Sequence, residues 1–198
     1  MRIAIQQQTF TPAMTQAGIT ASNVKKVGPV LVTAINNAYT DVVNRGPAYR
    51  RWFGGMAANW GVVMANMTTM RDFANGAATV TLVVKATSQV GANSNAYAWG
   101  QGNRSSIGQY ILNLGSSFGI PYSGNQVQLT HNTTQGQCLQ TISHELSHLV
   151  FGANINPPTP TAYTTEHYLD DALDLAGNDP VWASYNADNY GYFIEACS

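Results

Sequence analysis

Residues 144–148 read His-Glu-Leu-Ser-His, and no other string constrains the chain as much. Around them, Leu139, Ile142, Leu146, Leu149 and Val150 follow helical spacing over 138–151, and Gly152 stands where a helix cap belongs. On a helix, His144 and His148 share one face. Two imidazoles so placed can hold one Zn²⁺, whose ligands are nitrogen, sulfur and oxygen donors in tetrahedral array. Glu145, beside them, is positioned as base toward a water whose pKa the metal lowers to about 7. The alternative is an ordinary amphipathic helix with two surface histidines. It is the less economical reading, because the chain holds only four His and three Glu, and three of these seven fall within five residues.

Ionisable groups are scarce and unevenly placed. Charged residues make up 10% of the 198, against about 25% in an average globular domain. A hydrophobic fraction of 44% and a net charge of -1 exclude disorder, which needs low hydrophobicity and high net charge. Without a basic surface, nucleic acid is not an expected partner. No apolar run reaches the roughly 18 residues of a membrane span. All nine Lys and Arg lie at or before Arg104, whereas eight of the ten Asp and Glu lie at or after Glu145. A solvated acidic face would account for this, and so would a site that needs ligands and acids.

The length fits a single domain over 1–198. Helical spacing covers 22–45, with Gly28-Pro29 expected to break or kink it, and about 57–73, where Trp60, Met64, Met67, Met70 and Phe73 form a core stripe. Residues 78–86 and 126–131 read as strands, 106–114 as a hairpin or short helix, and about 165–176 as a last helix ending at Gly177. Helices, then strands, then helices make the class α+β, with a small mixed sheet. Cys138 and Cys197 are expected to pair, as an exported protein would favour. The start, MRIAIQQQ, has no apolar segment of a secretory signal, so a processed form, a cut domain, or export by another route is the expectation.

A tetrahedral catalytic site takes a third protein ligand and leaves one position for water. His131 precedes the helix, and the better candidates follow it in TTEHYLDDALDLAG. His167 and Asp171 are four apart, so a helix gives them one face, and Asp171 could accept the second N–H of a ligating His167. Glu166, Asp170 and Asp171 stay open as ligands in place of His167. The spacing resembles the gluzincin pattern, with His where that pattern has Glu.

Three segments, the histidine helix among them, carry a family resemblance. YRRWFGG at 49–55, TISHELSHLV around the histidines and LAGNDPVWASYNADNYGYF at 175–193 resemble the deuterolysin, or aspzincin, metalloendopeptidases, nearest the peptidyl-lysine branch. The resemblance implies a zincin-like fold, Zn²⁺ as cofactor and protein or peptide substrates. The family string Gly-Thr-x-x-Asp-x-x-Tyr-Gly, which supplies its third ligand, has no counterpart here. Asp188 matches one of the acidic residues with which the lysine-selecting branch binds a substrate ammonium. Gly191 stands at the other acidic position. For Asp188 the plain alternative is an Asx turn or helix cap. Strand 126–131 could take substrate as an added strand, and Tyr168 or Tyr190 could donate to an oxyanion.

A zinc endopeptidase is the leading function, and lysine-containing sites are the preference that the resemblance implies. The alternatives are a secreted toxin or effector with few targets and a cognate inhibitor or immunity protein, and a non-catalytic zinc-binding module. Glu145 argues against the last, since a structural zinc site needs no base. Nothing demands more than a monomer.

Overall fold

The structure, a computed structural model, describes residues 1–5, 12–16, 18–84, 96–98, 109–114, 118, 134–153 and 169–198. In chain order the elements are β1 (Arg2–Ile5), α1 (Pro12–Gln16), α2 (Ala21–Val43), α3 (Pro47–Phe53), α4 (Ala57–Asn75), β2 (Thr79–Val84), β3 (Ala96–Ala98), β4 (Gln109–Leu114), α5 (Thr134–Phe151), α6 (Leu169–Asn178), α7 (Pro180–Ala183) and α8 (Ala187–Ala196). The class is α+β, as the element order implies.

Helix α2 starts where the Thr20 hydroxyl accepts from the Asn23 N–H, a side-chain N-cap. It buries Val24, Val27, Leu31, Ala34, Ile35, Ala38 and Val42 along one stripe. Of the break or kink expected at Gly28-Pro29, the break is not found: the helix runs on through both residues. A proline costs one backbone hydrogen bond, and the buried stripe on both sides of it holds the helix together. In α4, Val63, Met67 and Met70 are fully buried, so the methionine stripe is core. Trp60 adds a bond from its indole N–H to the Val42 carbonyl (2.8 Å).

The described strands form one sheet in the order β1-β2-β4-β3. Strand β2, rich in β-branched residues, pairs in parallel with β1 on one side and β4 on the other. Strand β3 closes that edge antiparallel to β4 and runs beside α5. Residues 109–114, expected as a hairpin or short helix, are therefore strand β4. The expected strand at 126–131 lies outside the described residues. The last expected helix is found as α6, described from Leu169 and continuing past Gly177 to Asn178.

One buried cluster joins α2, α3, α4, the sheet, α5 and α8. Helix α8 is enclosed on nearly every side, with only Tyr192 and Ala196 partly exposed. It packs most extensively against α5. Gly191 permits this: a Cβ there would lie 3.0 Å from the Gln140 carbonyl oxygen and 3.3 Å from Cβ of His144. The expected Cys138–Cys197 disulfide is absent, and both thiols are free. Each packs as a small apolar group, and burial pushes both thiols up to about 12.

Candidate metal centre

Helix α5 carries residues 144–148 in its last two turns. Cys138, Leu139, Ile142, Leu146 and Leu149 fix its rotation by facing the core. That rotation leaves His144 and His148 half-buried on a common face. Their rings meet edge to face with centroids 4.8 Å apart, and their Nε2 atoms are 3.1 Å apart.

Each ring is held from behind through Nδ1. His144 Nδ1 lies 2.6 Å from Oδ1 of Asp188, and His148 Nδ1 lies 2.8 Å from the Ala153 carbonyl oxygen. A carbonyl and a carboxylate only accept, so both rings donate from Nδ1 and direct the lone pair of Nε2 inward. With both rings neutral, two lone pairs facing each other at 3.1 Å repel, and a cation between them, proton or metal, relieves the repulsion. Two zinc–nitrogen bonds of about 2.0–2.1 Å at a tetrahedral angle hold nitrogens about 3.3 Å apart. The pair thus fits a zinc ion to within a few tenths of an ångström.

The support of His144 comes from the first turn of α8. Asn186 caps that helix, its side chain accepting from the Asp188 N–H (3.4 Å). The Asn189 side chain donates to the Trp52 carbonyl (2.6 Å) and the Ala172 carbonyl (2.8 Å), and accepts from Asn186 (2.7 Å). Three helices, α3, α6 and α8, are pinned at the residue next to Asp188. The helix N-terminus favours the Asp188 carboxylate as an anion. Burial by itself pulls the His144 imidazole down, but the Asp188 charge and hydrogen bond, with Glu145 adding, outweigh it and hold the group above its ordinary value.

Asp188, for which the sequence left a substrate ammonium and an Asx turn or cap open, is only 3% exposed, with Oδ1 facing His144. Glu145 lies on the same turn as the two histidines, 4% exposed. The Tyr190 hydroxyl, considered above as an oxyanion donor, is fully buried, donates to the Ser184 carbonyl (2.7 Å) and accepts from Asn66 (2.8 Å). Its proton is engaged within the core. His131, Glu166, His167 and Tyr168 lie outside the described residues. For Asp170 and Asp171 the backbone, on α6, is described and the side chains are not. Among the described residues no third ligating side chain joins the two histidines.

The two supports of the histidines were not legible as such. Ala153 acts through its backbone, which no residue type announces. Asp188 is 44 positions from His144.

A family model described as lysine-specific metallo-endopeptidase matches residues 38–195. The chain belongs to the aspzincin family. It is accordingly a metalloendopeptidase, a hydrolase of peptide bonds, and its family implies zinc. The chain is also similar in fold to a solved structure, that of a zinc peptidase from Grifola frondosa. That protein is 20% identical, with a TM-score of 0.57, over 89% of this chain and 96% of the other. Among curated protein sequences nothing matches the chain. No described helix of this aspzincin is long and apolar enough to cross a membrane.

Proposed function

We propose that this aspzincin is a single-domain zinc endopeptidase in which His144 and His148 hold the ion through Nε2 and Glu145 is the general base. The observation that carries this reading is the convergence of the two Nε2 atoms at 3.1 Å, each ring held at Nδ1 by an acceptor. Zinc, when bound, supplies Lewis acidity toward the peptide carbonyl and lowers the pKa of water. Asp188 and the Ala153 carbonyl keep each ring in the tautomer that ligates. Glu145 takes the proton of the attacking water on its carboxylate and returns it to the departing amine.

The third ligand is assigned to His167, with Glu166, Asp170 and Asp171 as the alternatives, and Asp171 supports His167. Asp188 is assigned to orienting His144, because its carboxylate is committed there. Lysine-containing sites are the first to test, since the family description supports that preference. Substrates are protein or peptide chains, and the enzyme works as an exported monomer.

The test is digestion of an unfolded protein substrate, with the new termini mapped by mass spectrometry. Cleavage that stops with a zinc chelator and returns with added zinc is expected, with lysine enriched beside the cut bonds. Cleavage that persists without metal, or none with zinc restored, contradicts the proposal. Cleavage without lysine enrichment removes the lysine preference alone.

A further inference from the structure

The two histidines are supported by different means. His144 relies on a side chain from another helix, Asp188 of α8. His148 relies on a backbone carbonyl five residues further along its own chain, that of Ala153. A helix that continued, or ended in ordinary right-handed backbone, would carry that carbonyl along its axis and away from the imidazole. Here α5 ends at Phe151, and Gly152 takes φ +76°. The Gly152 N–H still bonds to the His148 carbonyl (3.2 Å), and the Ala153 N–H reaches back to the Ser147 carbonyl (3.2 Å). Left-handed glycine caps of this kind reverse the chain at a helix end. The reversal brings the Ala153 oxygen within 2.8 Å of His148 Nδ1.

The turn also borders a cavity of about 430 Å³, lined on the far side by Gly61, Val62, Ala65 and Asn66 of α4.

We propose that Gly152 is a positioning residue of the metal centre: its left-handed backbone aims the Ala153 carbonyl at His148 and so holds that imidazole ready to ligate. The inference rests on the reading of His148 as a zinc ligand and extends it to a residue with no side chain. An L-residue in this conformation is strained, and asparagine tolerates it better than alanine. Partners that orient a ligating histidine are worth about 10- to 100-fold in metal affinity.

The experiment measures zinc affinity by competition with a fluorescent chelator, on wild type, Gly152→Ala and Gly152→Asn. Thermal melts of the metal-free proteins are recorded beside it. Gly152→Ala is expected to lose about 10-fold or more in affinity, and Gly152→Asn to stay within about threefold of wild type. A merely structural role would lower the melting temperature and leave the affinity of the folded protein unchanged. Equal affinity in Gly152→Ala and wild type overturns the proposal, as does an equal loss in both variants, which would indict side-chain bulk. A histidine-ring ¹H–¹⁵N spectrum of zinc-loaded wild type gives a check that needs no variant: the proposal expects the proton of His148 on Nδ1, and a proton on Nε2 overturns it. Failure of wild type to bind zinc would instead bring down the metal-centre reading itself.

Discussion

Glu195 lies in the last turn of α8, 3% exposed, and its Oε1 has no hydrogen-bond partner among the described residues. Burial pushes its carboxyl from an ordinary 4.5 up to about 8. At pH 7 the folded protein therefore carries a neutral Glu195, whereas the unfolded chain carries an ionised one. Between about 4.5 and 8 the folded state binds the extra proton, so this group's contribution to stability is complete below 4.5 and is lost as pH rises through 8. At about 1.36 kcal/mol per pH unit, the gap caps the loss at about 5 kcal/mol. Relaxation and water entry around a buried charge reduce it, so roughly 2–3 kcal/mol is expected. Glu195→Gln keeps the shape and removes the titration. Urea unfolding of both metal-free proteins, followed by tryptophan fluorescence from pH 5 to 9, reads the difference. The two should be close at pH 5, and the variant should be the more stable by roughly 2–3 kcal/mol at pH 9. Parallel stability curves across that range would refute the reasoning, because they would mean that Glu195 ionises as readily folded as unfolded.

Two further outcomes follow from the site and the core. Asp188→Asn removes the charge behind His144 and should weaken zinc binding by about 10- to 100-fold, measured by chelator competition. Were Asp188 instead a receptor for substrate lysine, KM for lysyl peptides would rise with zinc affinity intact. The thiols of Cys138 and Cys197, held near 12 by burial, should react with a disulfide reagent at pH 8 at least about a hundredfold more slowly in the native than in the unfolded protein. Rapid native labelling, or a mass two hydrogens short, would contradict the free, buried state.

The parts of the fold that could be read from sequence are those with a period. Helices α2 and α4 announced themselves through one apolar stripe each, and β2 through a short β-branched run. Helix α5 did so twice, by its apolar spacing and by histidines four apart. Strand β1 escaped because four residues, Arg2–Ile5, are too few to show alternation. Helix α8 is buried on nearly every face, Ala187, Asn189, Tyr190, Gly191, Phe193 and Ile194 included, so its apolar spacing did not separate a core side from a solvent side. Only its resemblance to the family ending marked it. Pro29 misled for a related reason: local preference disfavours it within a helix, and the burial of Val27 and Leu31 on either side overrides that preference.

The metal centre divides in the same way. The inward face of His144 and His148 follows from helical geometry, which sequence spacing encodes. What holds the rings from behind depends on how α8 crosses α5 and how α5 ends. Gly191 allows the first by its lack of a Cβ, and Gly152 achieves the second by a positive φ. Neither glycine carries a functional group that a motif could register. Asp188 was noticed as a carboxylate, but its partner could be named only once α8 lay against α5.

The most direct test of the account is Glu145→Gln, with peptide hydrolysis and bound zinc measured on the same preparation. Removing a general base typically costs about 10²- to 10⁴-fold in rate. The account predicts a loss of that order in kcat, with one zinc per chain and an unchanged melting profile. Hydrolysis at the wild-type rate with zinc in place would contradict it, since the carboxylate between His144 and His148 would then play no part in moving the proton.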